Sequence, residues 1–165
     1  MQHTSFSELS CPVARGLERV GEWWSMMILR DAFYGLTRFD EFQKSLGIAP
    51  NMLTRRLTGL VEDGLLERRQ YCDKPPRFGY HLTESGRDFW PVLLTLLEWG
   101  SKHYSPEGKI IELRDKVSGA AVQPLLVDAA TGTPITRERH EVVPGPAATE
   151  GVRRRFASHP SAAAD

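Results

Sequence analysis

The chain has 165 residues, of which 41% are hydrophobic and 25% are charged, and its 21 basic and 21 acidic residues give a formal charge of zero. This composition predicts one compact soluble domain with an appendage. It excludes a histone-like polyelectrolyte but not a DNA reader, whose positive charge need only be local. No basic region followed by an apolar run opens the chain, and no apolar run approaches the ~20 residues that span a bilayer, so we expect neither a signal peptide nor a membrane partner.

The first predicted elements are helices. Residues 1–10 are polar and are expected to be flexible. In Cys11–Val20 apolar residues recur at helical spacing, and the dense apolar stretch Glu22–Tyr34 predicts a helix buried on most of its surface. Gly35 ends that helix. Thr37 then suits the N-cap of a helix that reaches Leu46, with acidic residues in its first turn, where the helix dipole favours them.

The stretch Gly47–Leu66 contains the helix around which the chain is organised. Pro50 suits the first helical position and Gly64 suits the stop, which predicts a helix over residues 50–63. One side is apolar at helical spacing and should face the core: Leu53, Leu57, Leu60 and Val61. The other side carries amide, hydroxyl and guanidinium groups, which match the donors and acceptors on base edges in a major groove. An ordinary surface helix is the alternative, and the flanking segments decide between it and a helix that reads DNA.

These flanks favour a winged helix-turn-helix. Two short helices joined by a few residues that include a glycine have the layout of a helix-turn-helix. After the second helix, Leu66–Tyr71 and Phe78–Leu82 predict the strands of a β-hairpin, around a loop whose prolines cannot pair as a central strand. The tip carries Lys74 and Arg77, so residues 72–78 are predicted to form a basic wing.

A long apolar helix follows the hairpin. Thr83 should cap it, Pro91 should bend it or loosen its first turns, and it should run to Tyr104. It carries two apolar stripes, and a single small core cannot bury both of them. Surplus apolar surface normally marks an interface. We therefore expect a homodimer. We assign six residues of the first and last helices to its interface: Val13, Leu17, Val92, Leu96, Trp99 and His103.

The composition shifts after residue 104, and a C-terminal extension is expected over residues 105–165. Its first part, KIIELRDKVSG, is compatible with a helix or a strand. Pro124–Asp128 and Arg139–Val143 predict two short strands, and from Gly145 onward a disordered or lightly docked tail is expected. No internal repeat is evident. The predicted fold class is mainly α with a small β-hairpin wing, extended by this C-terminal segment.

Three phrases occur in this order: RF-x-E-x-Q, ML-x-x-RL-x-x-L-x-x-DGL-x-x-R and PPR-x-x-Y-x-LT-x-x-G. With their surroundings, over residues 11–104, they resemble the HxlR-type branch of MarR-like winged-helix transcriptional regulators. The resemblance implies a DNA-binding and dimerisation domain over 11–104, in a cytoplasmic homodimer that binds a near-palindromic site on double-stranded DNA. We expect a repressor. The resemblance often implies a response to oxidants, reactive electrophiles or a small aromatic effector.

The chain also departs from this family. Where many relatives have Ser before the proline of the recognition helix, this chain has Ala49, which cannot cap the helix and costs about 1 kcal/mol in a typical case. In certain relatives a similar extension carries paired cysteines like a zinc ribbon. Residues 105–165 contain no cysteine here, so no structural zinc is expected there. Because Cys11, Cys72, His81 and His103 show no ligand spacing, no metal and no cofactor are expected at all.

The polar side of helix 50–63 supplies the expected base contacts. Arg55 can pair bidentately with guanine and Asn51 with adenine. Arg56 lies nearer the core side, and an internal ion pair and a phosphate contact both stay open for it. Three further residues are expected to touch phosphates or thymine methyl groups: Met52, Thr54 and Thr58.

The segments before and after that helix should contact the DNA backbone. Thr37 and Arg38 lie at the start of the preceding helix, and a helix N-terminus attracts phosphate. Lys74 and Arg77 on the wing should reach an adjacent minor groove or its phosphates.

Cys11 is a candidate sensor. The two cysteines are too few for a disulfide framework and fit a reducing cytoplasm. A helix that starts near Pro12 would favour a reactive thiolate at Cys11, and the resemblance implies a redox or electrophile sensor at this CPV position. A small buried residue is an equal alternative. Cys72 could act as its partner across a dimer only if the base of the wing came near.

Aromatic residues on the second and last helices are candidates for an effector pocket: Trp23, Trp24, Phe33 and Trp90, with Tyr34 and Trp99 nearby. We favour core or dimer contacts for them, because aromatic residues at helical spacing usually have that role.

Other functions fit less well. The chain has no G-x-S-x-G elbow, no phosphate-cradling glycine loop and no clustered metal ligands, so it is not expected to be an enzyme. A winged helix that binds proteins and no longer binds DNA is the alternative, against which the basic wing and the Asn51 and Arg55 side chains argue.

Overall fold

The computed structural model describes residues 9–158, which divide into two compact units after Gly108. In chain order the first unit contains α1 (Pro12–Val20), α2 (Trp23–Phe33), α3 (Phe39–Leu46), α4 (Pro50–Glu62), β1 (Leu66–Asp73), β2 (Pro76–Leu82), α5 (Glu84–Arg87) and α6 (Trp90–Tyr104). The second contains α7 (Glu150–Ser158). The predicted class, mainly α with a small β wing, is confirmed. Residues 1–8 of the predicted flexible start and residues 159–165 of the predicted tail lie outside the described residues.

The core of the first unit lies between α2, α3, α4 and the start of the hairpin. Its members are less than a tenth exposed: Val20, Ile28, Leu29, Phe42, Ile48, Leu53, Leu57, Leu60, Leu65 and Leu66. Three of the four apolar residues predicted for the core side of α4 are among them. The fourth, Val61, is half-buried and packs against the same core, so the predicted apolar side of α4 is confirmed.

Glycines set the ends of the two helices that form the helix-turn-helix. Gly47 ends α3 with φ 62°, and Gly64 follows α4 with φ 71°. Both values lie in the left-handed region, which a residue with a Cβ atom enters only with strain. Asp63 is the C-cap of α4, so the helix ends one residue before the predicted limit.

The hairpin is longer than predicted. β1 and β2 pair antiparallel from Leu66 opposite Leu82 to Asp73 opposite Pro76, so the turn consists of Lys74 and Pro75 alone. The prediction ended the strands earlier because proline lacks the N–H group that a central strand needs. Pro76 is tolerated because it is the first residue of its strand.

A short segment before α3 joins the wing on its other edge. Arg38 forms an isolated antiparallel bridge with Gly79, and the Tyr80 N–H donates to the Thr37 carbonyl at 2.7 Å. β2 therefore lies between β1 and residues 37–38. This pairing connects the wing to the start of α3.

The prediction that Thr37 caps α3 is wrong. The helix begins at Phe39 and Arg38 is its N-cap residue, because Thr37 is engaged in the pairing with β2. Glu41 supplies the capping group instead: its carboxylate accepts the N–H groups of Thr37 and Arg38, both at 2.9 Å.

The predicted long helix after the wing is two helices. The Thr83 hydroxyl accepts the Gly86 N–H at 3.0 Å, which confirms Thr83 as the cap of α5. The chain then breaks between Arg87 and Trp90, and Pro91 lies in the first turn of α6. Proline is tolerated in a first turn because its missing N–H would have no helical partner there.

In the second unit two turns of the same geometry replace the predicted strands. Arg114 bridges Ala121 and Val127 bridges Pro134, so the predicted strand Pro124–Asp128 is reduced to one bridge. Arg139–Val143 is not a strand, and KIIELRDKVSG forms neither of the two regular structures that its sequence left open. The stretch expected to be a disordered or lightly docked tail contains α7, so the alternative of disorder is wrong for Glu150–Ser158.

The two turns form an internal repeat that the sequence analysis missed. The Asp115 carboxylate accepts the N–H groups of Val117 and Ser118, and Asp128 accepts the Ala130 N–H and the Thr131 hydroxyl. The Ser118 N–H above all holds the pKa of Asp115 below its ordinary value, and the Thr131 hydroxyl does the same for the pKa of Asp128. The signal was the recurring spacing D-x-x-[ST]-G.

The helices within residues 9–158 are all too short or too polar to cross a lipid bilayer.

Glu41→Gln should lower the free energy of unfolding at neutral pH and leave it unchanged in acid. The N–H groups of Thr37 and then Arg38 lower the pKa of the folded Glu41 carboxyl from 4.5. The carboxylate therefore stabilises the fold above the unfolded-state pKa, and this stabilisation is lost as the pH falls through the folded-state pKa. Urea unfolding at neutral pH and at a pH below the folded-state value measures it. Asp40→Asn, a change in the same helical turn, is the control. An equal effect of Glu41→Gln at both pH values would contradict the capping role.

Candidate nucleic-acid interface

Four polar side chains of α4 are exposed on the side opposite its buried leucines: Asn51, Thr54, Arg55 and Thr58. Their exposure follows from the helical period, since Leu53 and Leu57 are fully buried. Within the described residues Arg55 has no carboxylate partner, so the N–H donors of its guanidinium are available to a ligand. The arrangement presents an amide, two hydroxyls and a guanidinium on one convex surface.

Thr54 and Met52 differ in what they can offer to DNA. The Thr54 hydroxyl donates to the Pro50 carbonyl at 2.9 Å, so donation to a phosphate would require that bond to break. A thymine methyl contact would not. Met52 is exposed and apolar, which also favours contact with a methyl group.

The start of α4 lacks a side-chain cap. Ala49 is the N-cap residue and its side chain accepts nothing, which agrees with the weak start expected from the sequence. The first N–H groups of α4 therefore lie open to solvent or to an anion. The positive end of the helix dipole and these donors both favour a phosphate.

Arg56 is turned away from this surface. Its side chain is 17% exposed and its Nη2 atom lies 2.8 Å from the Glu22 carboxylate, at the start of α2. Of the two roles that the sequence left open, the geometry favours the internal ion pair. Arg56 is therefore left out of the interface that we propose below, and the phosphate contact that the sequence left open for it is not proposed.

Arg38 and Thr37 lie at the start of α3. Arg38 is exposed, and its guanidinium carbon lies 4.9 Å from the centre of the Tyr71 ring. Thr37 is half-buried and its backbone is used by the hydrogen bonds to Glu41 and Tyr80, so only its side chain is left for a DNA contact.

Two cations lie exposed around the wing turn, Lys74 and Arg77, and neither pairs with a carboxylate in the part of the chain that the structure describes. The strand arginines are engaged within the hairpin. Arg69 pairs with Glu67, and Arg68 stacks on Phe78 with its guanidinium carbon 3.6 Å from the ring centre. Among the described residues, the cations of the wing that no carboxylate pairs with are therefore Lys74 and Arg77 at the tip and Arg68 in the strand.

The residues assigned to a dimer interface are all exposed. Val13 is 70% and Trp99 53% exposed, and the other four are Leu17, Val92, Leu96 and His103. Trp99 contacts Tyr104 edge to face with ring centres 5.0 Å apart. α6 thus presents apolar and aromatic groups to its surroundings.

The predicted aromatic cluster is divided in the structure. Phe33 of α2 and Trp90 of α6 are in contact, with ring centres 4.8 Å apart. Trp23 and Trp24 form a separate pair at 5.3 Å, and Trp23 is 72% exposed. Phe33 and Trp90 thus remain as the two members that join α2 to α6.

Both cysteines are free thiols. Cys11 is the half-buried N-cap residue of α1, which begins at Pro12 as the sensor hypothesis required. Cys72 is half-buried in β1 beside the wing turn, where its thiol lies 3.8 Å from the Lys74 carbonyl. Among the described residues no group of three or more His, Cys, Asp or Glu side chains is arranged to hold a metal ion.

No sequence pattern indicated that Glu22 or Tyr71 belongs to the site. Both act on a distant arginine, Glu22 on Arg56 and Tyr71 on Arg38. Neither pairing has a local sequence signal, since each depends on how the elements pack.

Comparison with known proteins gives one consistent result. The model of the HxlR-like helix-turn-helix family matches residues 19–108. An uncharacterized HTH-type transcriptional regulator of Mycobacterium tuberculosis strain H37Rv is 42% identical over 135 residues, which are 81% of this chain and 85% of that protein.

Two solved structures extend the comparison. PA1607, named as a candidate transcription factor, is 42% identical with a TM-score of 0.77, and the match covers 85% of this chain and 99% of that one. The redox regulator HypR in its oxidized form is 36% identical with a TM-score of 0.53, over 56% of this chain and 97% of that one.

Proposed function

The chain belongs to the HxlR-like helix-turn-helix family, and from this premise we propose that it is a homodimeric, sequence-specific repressor that reads its operator with α4 and grips the backbone with the wing. It is a transcriptional regulator of the helix-turn-helix type, with DNA binding inferred from the family. Repression requires only occupancy of a promoter, which a helix and a wing can supply by themselves. We propose the cytoplasm as its place of action.

The observation that carries the proposal is the exposed side of α4. Asn51 and Arg55 have the chemistry of base readers, and Arg55 has no partner among the described residues that would use its donors. Thr37, Arg38 and the open N-terminus of α4 supply backbone contacts beside it. Lys74 and Arg77 are proposed to meet the adjacent minor groove or its phosphates.

A homodimer is proposed from the exposed apolar side of α1 and α6. Each dimer would present two copies of α4 related by two-fold symmetry, and a near-palindromic operator would match them. The apolar side chains supply the driving force, because large exposed apolar patches normally mark interfaces.

Two signals are proposed for release from DNA. The first is oxidation or alkylation of Cys11, supported by its position at the start of α1 and by the similarity to a protein named as a redox regulator. The second is a small aromatic effector that would enter where Phe33 of α2 meets Trp90 of α6.

Arg55→Ala should cost roughly 1–3 kcal/mol of operator binding and relax the preference at one base pair. Lys74→Ala is the matched control: it should weaken operator and random DNA alike and reduce the slope of log K against log salt by about 0.9. Binding to the DNA upstream of the protein's own gene, measured across a salt series, tests both. An equal loss on both DNAs for Arg55→Ala would exclude base reading.

Absent or salt-independent binding of the unaltered protein would favour the alternative of a protein-interaction module.

Leu96→Asp should weaken self-association tenfold or more, because it places a charge in the proposed apolar contact. Lys102→Gln changes the charge by the same amount at an exposed position on a different side of α6 and should have no effect. Sedimentation equilibrium of the full chain over a concentration series measures both. A dimer of unchanged affinity in the Leu96→Asp variant would rule out this side of α6 as the interface.

Cys11→Ser should keep the protein on its operator after treatment with a thiol oxidant or a quinone, since serine offers no thiolate to react. Cys72→Ser, which removes the other thiol, should still release DNA under the same treatment. A gel shift with and without oxidant compares the three proteins. Release by the Cys11→Ser variant would show that Cys11 is not the sensor.

A further inference from the structure

We infer that Tyr71 is a positioning residue for DNA binding, whose ring holds the Arg38 guanidinium in place for a backbone phosphate. The inference rests on the proposed function, because it assigns Arg38 a phosphate contact. It goes further in naming a wing residue that acts through an arginine on another element.

A β-bulge determines where Tyr71 lies. Gln70 pairs with Phe78 and Cys72 pairs with Arg77, so Tyr71 is an extra residue in β1 without an opposite residue in β2. A bulge interrupts the ladder, increases the local twist and re-aims a side chain. The Tyr71 ring stays 47% exposed although tyrosine has a large apolar ring, so packing in the core does not explain its position.

The contact reaches across β2. Gly79 of β2 pairs with Arg69 of β1 on one edge and bridges Arg38 on the other. The Arg38 guanidinium carbon lies 4.9 Å from the centre of the Tyr71 ring.

The backbone of Arg38 is fixed independently of its side chain. Its N–H donates to the Glu41 carboxylate at 2.9 Å, and its bridge to Gly79 holds the other side. In residues 9–158 no carboxylate lies at ion-pairing distance from the Arg38 guanidinium. The Tyr71 ring is thus the group that limits the motion of a long and otherwise exposed side chain.

Aromatic stacking suits this task better than an ion pair would. A ring covers the face of the guanidinium plane and leaves the N–H donors at its edge available. A carboxylate would use those donors and neutralise the charge, as Glu67 does for Arg69 and Glu22 for Arg56. Ordering the side chain before binding reduces the entropy that is lost when the phosphate is bound.

The test is a double-mutant cycle on operator binding with the full chain. Tyr71→Leu should weaken binding roughly two- to fivefold, the range expected for an exposed cation–π contact. Tyr71→Phe should bind like the unaltered protein, because the ring is kept. Arg38→Ala should lower the slope of log K against log salt by about 0.9, and adding Tyr71→Leu to Arg38→Ala should weaken binding no further.

Two outcomes would overturn the inference. An undiminished effect of Tyr71→Leu in the Arg38→Ala background would mean that Tyr71 does not act through Arg38. Equal losses for Tyr71→Phe and Tyr71→Leu would mean that the hydroxyl contacts DNA directly. Phe78→Leu is the matched control, because it removes the other arginine–aromatic stack of the wing, that of Arg68. Its effect should be independent of Arg38→Ala.

A measurement without DNA separates this inference from the proposed function. The ring current of Tyr71 should shift the Arg38 Hε resonance upfield in the unaltered protein and in Tyr71→Phe, but not in Tyr71→Leu. If the shift is present but the protein binds no DNA, the contact between Tyr71 and Arg38 exists and the proposed function is refuted. A shift that is absent in a protein that binds DNA would refute the role of Tyr71 alone.

Discussion

The burial of Leu53, Leu57 and Leu60 fixes the rotation of α4, and the rest of the proposed interface depends on it. Each residue of an α-helix advances by about 100°, so a helix with these three leucines in the core must present Asn51, Arg55 and Thr58 to solvent. Rotation by one residue would expose the leucines and direct Arg55 toward the core. Both changes are unfavourable, because the apolar leucines would be exposed to water and the unpaired charge of Arg55 would be buried. The ion pair between Arg56 and Glu22 opposes the same rotation from the other side of the helix.

The wing is attached to this core at both of its ends. Leu65 and Leu66 continue the core directly from the end of α4 into β1. The Thr83 hydroxyl donates to the Gly64 carbonyl at 2.6 Å and the Thr83 N–H to the Leu65 carbonyl at 3.1 Å, so the chain leaving β2 returns to the point where β1 began. The pairing of residues 37–38 with β2 adds a third connection, to α3. The cations at the wing turn therefore keep a defined place relative to α4, although they lie far from the core.

Periodicity and the special backbone properties of glycine and proline predicted much of this from the sequence. They gave the two sides of α4, the stop at Gly64 and an irregularity near Pro91, because each depends on residues within a few positions of one another. Pairings between distant residues were out of reach. Thr37 was expected to cap α3 because nothing local showed that its backbone pairs with β2. The role of Arg56 was left undecided because Glu22 lies on another helix, and the same holds for Tyr71 and Arg38.

The extension is built by a different principle from the winged helix. Within residues 109–158 no side chain is buried, and the order comes from turns in which Asp115 and Asp128 accept hydrogen bonds from residues two and three positions later. Such turns form locally and repeat because the same D-x-x-[ST]-G spacing recurs. The hydrophobic core of the first unit is formed by residues between Val20 and Leu66. The winged helix is therefore expected to fold by its own core.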